Sequence, residues 1–305
     1  MNNFLLNKPV LFLVFNRINT TKQVFSTIRE AQPPRLYIAA DGARPNYDEQ
    51  DKVDTVRNYI VNNIDWDCKV KTLFREKNLG CKYAVSGAID WFFENEEMGI
   101  ILEDDTLPSQ SFFYFCQELL EKYRYDERIM KIAGFNEMEG FKQNKDSYLF
   151  ANFGSDWGWA SWSRAWKHYD VEMSDWPEFK DKKLNQYYPF IEKRNKIFEK
   201  TYKNNIDTWD YQWHYAINKN HGLVCIPCKS LVKNIGFGKE ATHTQKVELS
   251  RQKVNRKEIN FPLIHPFCLF PYLAYEKYLL NRKSPTIFKR ILLNFLKVVN
   301  YVTKR

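Results

Sequence analysis

The chain has 305 residues, of which 44% are hydrophobic and 27% are charged, a composition typical of one large α/β domain with a packed core. Its formal charge is +9, but residues 276–305 hold eight Lys or Arg against one acid and account for +7 of that total. Such local basicity argues against a nucleic-acid-binding domain, which would carry its charge over a whole face.

Strands and helices alternate along the first part of the chain. Continuous apolar runs of strand length predict strands, and apolar residues at helical spacing predict helices. The predicted strands are 9–16, 35–44, 69–76, 98–105 and 129–136, and the predicted helices are 17–31, 48–63, 81–95 and 108–126. This alternation implies parallel strands joined by crossover helices, so we expect a Rossmann-like, mostly parallel central sheet flanked by helices.

The second half of the chain is less regular and rich in aromatic residues. It begins with a short run of Trp residues and ends in polar, glycine-containing sequence. The predicted segments are a Trp-rich stretch (155–170), helical material (175–205), an unassigned aromatic stretch (207–222), a strand (223–232), a loop (234–245) and a polar connection (246–258). The many aromatic residues favour a cleft lined by rings, on which sugars and bases stack well.

The last twenty residues have the pattern of a basic amphipathic helix. One helical face collects Phe288, Ile291, Leu292, Phe295, Val299 and Val302, and the basic residues lie largely elsewhere. This pattern is typical of a helix on an anionic membrane surface, so residues 284–305 are a candidate membrane contact; a helix packed on the domain and a dimer contact are the alternatives.

Neither a signal peptide nor a membrane-spanning segment of roughly 20 apolar residues is apparent in the sequence. We therefore expect a cytoplasmic protein, or one held peripherally on the inner face of the cytoplasmic membrane. The cysteines fit such a reducing compartment. Cys225 and Cys228 form the one close pair, with His221 nearby; free thiols in and beside a buried strand are the expectation, and a bound metal is the alternative.

Three carboxylates, Glu103, Asp104 and Asp105, follow directly after an apolar run. Adjacent carboxylates raise one another's pKa values unless a cation is present, and hard oxygen ligands suit Mn²⁺ or Mg²⁺. Because ligands of a doubly wound sheet bind beyond the carboxyl ends of its strands, Arg17 and Asp41 should share a crevice with this triplet. A solvated acidic surface is the alternative.

Seven segments of the chain resemble, in order, the GT-A nucleotide-sugar glycosyltransferases, and within them the N-acetylglucosaminyltransferase I family. The segments lie between about residues 9 and 245 and read PVLFLVFNR, IAADGAR, IILEDDTLPSQSFFYF, IAGFN, WGWASWSRAW, TWDYQW and NIGFGKEATH. The resemblance implies a GT-A domain over residues 1–250, with a nucleotide-binding part (about 1–107) and an acceptor-binding part (about 108–250). Residues 251–305 would form a basic extension ending in a helix.

The resemblance also implies an activity and a role for each matched donor-site residue. The enzyme would be an inverting glycosyltransferase that moves a sugar from a UDP-sugar to a glycan or glycolipid acceptor. Arg17 would lie near the nucleotide, and Asp41 would hydrogen-bond the uracil. Asp105 would bind Mn²⁺ or Mg²⁺ directly, whereas Glu103 and Asp104 would bind the ribose, the donor sugar or metal-bound water.

For the reaction itself, the resemblance implies that Asp210 is the base that deprotonates the acceptor hydroxyl; Asp156 is the alternative. Thr242 and His243 would lie near the phosphates in a loop that closes over the donor. Two positions depart from the family. Ser86 stands where the family has a nucleotide-contacting His, and the family's Trp-Asp-Asp-Trp run is replaced by residues 209–213 (WDYQW), which leaves the uracil preference and the register of the base open.

Two other functions fit parts of the sequence. A nucleotidyltransferase that forms sugar nucleotides would use a similar sheet, but the N-terminal region has no glycine-rich phosphate loop bearing Arg or Lys of the kind that this reaction favours. A non-enzymatic nucleotide- or nucleic-acid-binding module would use the basic tail, but the acids at the predicted crevice argue against it. We therefore expect an enzyme with no nucleic-acid partner.

Overall fold

The computed structural model describes residues 5–138, 145–185, 191–204, 206–237 and 254–281. The strands are β1 (Val10–Val14), β2 (Arg35–Ala40), β3 (Lys69–Phe74), β4 (Met98–Glu103), β5 (Thr106–Pro108), β6 (Ile129–Ala133), β7 (Tyr148–Ala151), β8 (Trp159–Trp162), β9 (Leu223–Pro227) and β10 (Val232–Asn234). The helices are α1 (Ile18–Ala31), α2 (Gln50–Asn62), α3 (Gly80–Asn95), α4 (Gln110–Lys122), α5 (Ser163–Trp166), α6 (Trp176–Asp181), α7 (Ile191–Tyr202), α8 (Asp210–Lys219) and α9 (Leu273–Asn281).

Eight of these strands form one sheet in the order β3-β2-β1-β4-β8-β6-β9-β7, and β10 pairs with β5 beside it. Six strands of the large sheet run in one direction, whereas β8 and β7 are antiparallel to their neighbours. The predicted α/β architecture with a mostly parallel central sheet flanked by helices is therefore confirmed. The strand order reverses at β1, which pairs with β2 on one side and β4 on the other, and such a switch point is where α/β sheets bind ligands.

The central strands are apolar along their whole length because helices cover both faces of the sheet. β1 is buried at every position, and β4 is buried up to its last residue, Glu103. By contrast, β3 is an edge strand whose first four residues are exposed, and the charges of Lys69 and Lys71 protect that edge from pairing with another chain.

Two apolar cores lie on the two faces of the sheet. Alternate residues of a strand point to opposite faces, so Phe12 of β1 joins one core and Leu11 joins the other. The first core includes apolar side chains of α1 and α4, and the second includes side chains of α3 and α8. Each large apolar side chain that is fully buried in this way stabilises the fold by roughly 1.5–3 kcal/mol.

Three of the four tryptophans of the Trp-rich segment are core residues, with Trp162 in the first core and Trp159 and Trp166 in the second. Trp159 is fully buried, and its ring lies 6.0 Å from that of Trp166 and 6.1 Å from that of Trp213. Trp157 is the exception because it is only partly buried and lines the cavity described below. Trp157 alone among these residues fits the expectation of a ring-lined cleft.

Several predicted boundaries differ from the observed ones. The strand predicted over 35–44 ends at Ala40, and the one over 129–136 ends at Ala133. The single strand predicted over 223–232 is β9 followed by a bend and then the first residue of β10. In each case polar or small residues follow the last residue that is hydrogen-bonded in the sheet. The number of apolar residues in a run does not show at which of them the backbone pairing ends.

Part of the predicted C-terminal extension packs on the domain. Ile259 and Leu263 are buried in the first core, and Tyr275 is buried in the second. Glu276 of α9 forms a fully buried ion pair with Arg194 of α7, with Nη2 and Oε2 2.9 Å apart. Residues 284–305 lie outside the described residues, and none of the helices that the structure describes is long and apolar enough to cross a bilayer.

Candidate active site

A cavity of about 870 Å³ lies at the carboxyl ends of β1, β2 and β4. It brings together six of the predicted site residues, which are Arg17, Asp41, Glu103, Asp104, Asp105 and Asp210. The first five are neighbours because parallel strands deliver their carboxyl ends to the same edge of the sheet, and α8 adds Asp210. Thr242 and His243, the other two predicted residues, lie outside the described residues.

Arg17 supplies the positive charge at the acidic strand end. β1 and β4 are hydrogen-bonded neighbours, so the residue that follows β1 reaches the acids that follow β4. The Arg17 guanidinium donates hydrogen bonds to Asp104, and its Nη2 lies 3.1 Å from Oδ2 of Asp105. Burial by itself lowers the pKa of Arg17, but the charges of Asp104 and Asp105 outweigh it and raise that pKa.

Asp104 is itself buried, with 3% of its surface exposed. Burial raises its pKa to about 6, although the charge of Arg17 acts in the opposite direction. Arg17 thus provides one positive charge for two carboxylates, those of Asp104 and Asp105. The acidic strand end retains an excess of negative charge.

Glu103 is the acid of this triplet that Arg17 does not contact. Its carboxylate has no hydrogen-bond or ion-pair partner among the described residues, and it lines the cavity. Burial raises its pKa well above the ordinary value, and the nearby charges of Asp105 and Asp104 add to this effect. A buried carboxylate without a cation is costly, so the side chains at this position fit a bound positive ion.

The chemistry of these side chains suits Mn²⁺ or Mg²⁺, which prefer carboxylate, phosphate and water oxygens. No group of three or more His, Cys, Asp or Glu side chains in the described part of the chain is arranged to hold a metal ion. A cation at Asp105 and Glu103 would therefore take further ligands from a diphosphate and water. The predicted role of Asp105 as the metal ligand remains a prediction.

Asp41 has a structural role at the edge of the cavity. Its carboxylate accepts hydrogen bonds from the backbone N–H groups of Leu79, Gly80 and Gly42 at 3.0–3.1 Å, and so caps the N-terminus of α3. Burial raises the pKa of Asp41, and these hydrogen bonds offset the rise only in part. The contacts fix the carboxylate on the cavity wall, and its predicted hydrogen bond to uracil remains a prediction.

Ser86, which stands at the position of the family's histidine, is not among the cavity-lining residues. It is buried in α3, and its hydroxyl donates to the backbone carbonyl of Lys82 at 2.7 Å. Arg75 does line the cavity, and its guanidinium donates to the carbonyl of Ala84 at 3.1 Å. In this region, therefore, Arg75 rather than Ser86 offers a side chain to a ligand.

Asp210, the predicted base, is the first residue of α8 and lines the cavity. Its Oδ1 accepts hydrogen bonds from the hydroxyl of Thr208 and from the backbone N–H of Tyr211, the latter at 2.9 Å. Its charge is one of the causes of the raised pKa of Glu103, so the two carboxylates lie within electrostatic range of each other.

Asp156, the alternative base, belongs to a buried charged cluster that the sequence did not reveal. Its Oδ1 lies 2.6 Å from Nζ of Lys131, and its Oδ2 lies 2.7 Å from Nε2 of His214. Burial by itself would raise the pKa of Asp156, but His214 and Lys131 lower it to about 2. So weak a base is poorly suited to take a proton from a hydroxyl. A lysine inside the apolar strand IMKIA was the one available signal of this cluster.

The start of the glycine-containing loop closes over the acidic strand end. A Cβ added to Gly236 would lie 2.7 Å from Cβ of Asp105 and 2.8 Å from Nη1 of Arg17, so only glycine fits here. The ring of Phe237 lies 5.7 Å from that of Trp157 on the cavity wall. The described beginning of the loop thus touches the two residues predicted to handle the donor.

The Cys225–Cys228 pair lies away from this chemistry. Cys225 is buried in β9, Cys228 is half-buried, and neither forms a disulfide bond. Neither lines the cavity, and the described residues contain no metal-binding group of three or more such side chains. The expectation of free thiols agrees with this arrangement.

No family model and no curated protein sequence matches the chain. Solved structures that resemble it include HddC from Yersinia pseudotuberculosis, with a TM-score of 0.33 and 11% identity over 52% of this chain and 77% of that one. Residues 1–349 of TarS from S. aureus give 0.35 and 9%, over 54% and 51%. UDP-glucose pyrophosphorylase complexed with UDP-glucose gives 0.28 and 14%, over 49% and 63%. All three TM-scores lie below 0.5, so these likenesses do not establish a function for the chain.

Proposed function

We propose that this protein is an inverting, divalent-metal-dependent glycosyltransferase that moves a sugar from a nucleotide-sugar, most naturally a UDP-sugar, to a hydroxyl group of a glycan. The observation that carries the proposal is the meeting of Glu103, Asp104 and Asp105 with Arg17 and Asp210 around one cavity at the switch point of the sheet. Carboxylates for a cation, a guanidinium for phosphate and a separate carboxylate for a proton are the groups that such a transfer needs.

The donor would bind at the carboxyl ends of β1, β2 and β4. Asp105 and Glu103 would hold Mn²⁺ or Mg²⁺, which when bound would neutralise the charge of the leaving nucleoside diphosphate. Asp104 would bind the ribose or the donor sugar, and Arg17 would approach the phosphates while still paired with Asp104. Asp41, held rigidly at the start of α3, would accept a hydrogen bond from the base.

The acceptor would bind on the side of Asp210. As its hydroxyl oxygen attacks the anomeric carbon of the donor sugar, the hydroxyl proton would pass to the free Oδ2 side of the Asp210 carboxylate. The bond between the anomeric carbon and the phosphate oxygen would break, and the nucleoside diphosphate would leave. One displacement inverts the anomeric configuration. Thr242 and His243 would contact the phosphates from the loop that begins at Gly236.

The test uses the full chain with UDP-glucose, UDP-galactose and UDP-N-acetylglucosamine, Mn²⁺ and a panel of methyl hexosides. We expect metal-dependent release of UDP. Asp105→Ala should remove both metal-dependent donor binding and turnover, and Asp210→Asn should lower transfer about 100-fold or more with UDP binding retained, since general bases contribute about 10²–10⁴-fold. Asp65→Asn, in an exposed pair with Arg29, is the matched control.

Two outcomes would contradict the proposal. Release of pyrophosphate from a nucleoside triphosphate and a sugar phosphate, in place of UDP release, would identify a nucleotidyltransferase. Full activity of the Asp105→Ala variant would show that the metal and donor site has been misassigned.

We further propose that the acceptor is a membrane-bound glycan and that residues 284–305 contact the inner face of the cytoplasmic membrane. The described residues just before this segment support a surface contact, since Phe267 is fully exposed and Phe270 largely so. In α9, Leu273 and Tyr278 are also exposed, together with Lys277, while Glu276 points inward. Because Leu279 of the same helix lines the cavity, a bilayer here would lie close to the acceptor.

Vesicle co-sedimentation tests this contact. We expect the full chain to bind vesicles that contain phosphatidylglycerol and to bind phosphatidylcholine vesicles weakly, because each basic residue near an anionic surface contributes about 1 kcal/mol. The Phe267→Ser/Phe270→Ser variant should bind less at equal charge. Equal binding to both kinds of vesicle, or a stable dimer that does not bind vesicles, would contradict the proposal.

A further inference from the structure

The buried cluster of Lys131, Asp156 and His214 lies beside the proposed acceptor side of the cavity. Lys131 is fully buried, and its ammonium group donates to the backbone carbonyl of Gly154 at 3.1 Å as well as to Asp156. Asp156 and His214 line the cavity, as does Asp210, which lies four residues before His214 on the same helix. Residues with this spacing share one face of a helix.

The contact with Asp156 determines where His214 carries its proton. The carboxylate of Asp156 is ionised, since its pKa is lowered to about 2. A nitrogen 2.7 Å from such an oxygen must donate, so Nε2 of His214 carries a hydrogen. Lys131 can only donate and cannot share that hydrogen. In the neutral imidazole the lone pair is therefore on Nδ1, which makes Nδ1 a hydrogen-bond acceptor.

Nδ1 is buried and has no hydrogen-bond partner among the residues that the structure describes. The imidazole is flanked by the ring of Phe153, with centroids 4.7 Å apart, and by that of Tyr211 at 6.2 Å. A histidine that serves only the fold would normally have both nitrogens paired, because an unpaired buried polar atom costs free energy. Here Nε2 is held in place by Asp156, and Nδ1 is left unpaired among the described residues on a side chain that lines the cavity.

We propose that Nδ1 of His214 accepts a hydrogen bond from a hydroxyl group of the acceptor sugar, and that Asp156 and Lys131 are positioning residues that fix its tautomer and orientation. The inference rests on the proposed function because it assigns a ligand to the acceptor side of the same cavity. It also specifies the chemical class of that ligand. A neutral Nδ1 requires a donor such as O–H, whereas a phosphate or carboxylate group offers it none.

Nitrogen NMR on ¹⁵N-histidine-labelled full chain tests this directly. The His214 resonances are assigned by their loss in His214→Gln, and the protein is saturated with UDP and Mg²⁺. We expect the Nε2–H tautomer in the free protein. At least one methyl hexoside of the panel should shift the Nδ1 resonance saturably, and inorganic phosphate should not. A protonated Nδ1 in the free protein, or an unchanged Nδ1 resonance with every hexoside, would overturn the inference.

Kinetics with the same hexosides give a second measurement. The Gln amide nitrogen reaches the position of Nε2 and keeps the contact with Asp156, but Gln offers no acceptor in place of Nδ1. His214→Gln should therefore raise KM for the hexoside about tenfold, the effect of one hydrogen bond, and should change KM for the donor far less. Exposed His168→Gln is the matched control. Equal changes in both KM values would indicate a structural role and contradict the inference.

The two proposals fail in different ways. If UDP is released but no hexoside shifts Nδ1, the transferase assignment stands and the role of His214 does not. If a hexoside shifts Nδ1 but no UDP-sugar is turned over, the saccharide site stands and the reaction does not.

Discussion

The ion pair between Lys131 and Asp156 allows a quantitative test of the buried cluster. Lys131 is fully buried and the Asp156 side chain is 10% exposed, so removing either partner strands a charge in the interior. We expect Lys131→Met and Asp156→Asn each to lower the free energy of unfolding by about 3–5 kcal/mol. The double variant leaves neither charge of the pair stranded. Its free energy of unfolding should therefore fall by less than the sum of the decreases in the two single variants. The coupling energy between the two sites should be about 3 kcal/mol.

The lowered pKa of Asp156 gives an independent estimate of how much the fold stabilises the ionised carboxylate. Its pKa is lowered from 3.8 to about 2, and each pKa unit corresponds to about 1.4 kcal/mol. Ionised Asp156 is thus favoured in the fold by roughly 2–3 kcal/mol, shared between Lys131 and His214.

Urea unfolding followed by tryptophan fluorescence measures the four free energies of the cycle. An exposed pair supplies the control, since Lys182 and Glu178 lie one helical turn apart with side chains 60% and 69% exposed. The coupling there should be about 0.3–0.5 kcal/mol. If the Lys131 and Asp156 effects add to within about 0.5 kcal/mol, the pair is not coupled in the interior and the orientation assigned to His214 loses its basis.

Three further results follow from the same contacts. Because the pKa of Asp156 is lower in the folded state than in the unfolded state, its stabilising effect is complete above about pH 4 and is lost as the pH falls toward 2; urea unfolding of Asp156→Asn should lack this part of the pH dependence. Gly236→Ala should weaken UDP–Mn²⁺ binding about tenfold or more by calorimetry, since the new methyl group would displace Asp105 and Arg17; unchanged affinity would show that the loop yields without disturbing the site. Arg194→Met should lower the free energy of unfolding by about 3–5 kcal/mol by stranding Glu276, and hydrogen exchange in α9 should rise; unchanged exchange would mean that the pair does not hold this helix.

Much of the fold could be predicted because its signals are local. The apolar runs that became β1, β2 and β4, and the amphipathic helices between them, predict parallel strands from spacing alone. The antiparallel strands β7 and β8 could not be predicted in this way. They have four residues each, and the Trp residues of β8 suit a core helix, a core strand or a ligand platform equally well.

The residues of the candidate site also fall into two groups, those whose proximity could be predicted from the sequence and those whose proximity could not. Arg17, Asp41 and the acidic triplet end predicted strands, and the rule that parallel strands share a carboxyl edge was enough to bring them together. Lys131, Asp156 and His214 lie 25 and 58 residues apart in the chain, and no local pattern connects them. Their meeting depends on the sheet order, in which β6 lies between β8 and β9, and that order became known only from the structure.

The charges of the two groups of residues explain why one cavity would hold two different ligands. At the strand end, Arg17 pairs with Asp104 and Asp105, and the carboxylate of Glu103 has no partner among the described residues. The excess of negative charge there favours a cation and, through it, a diphosphate. In the other cluster, the carboxylate of Asp156 contacts the ammonium of Lys131 and Nε2 of His214, and Nδ1 of His214 has no hydrogen-bond partner among the described residues. On the proposed assignment, a hydroxyl-rich acceptor would bind beside His214, and the diphosphate of the donor would bind at the acidic strand end.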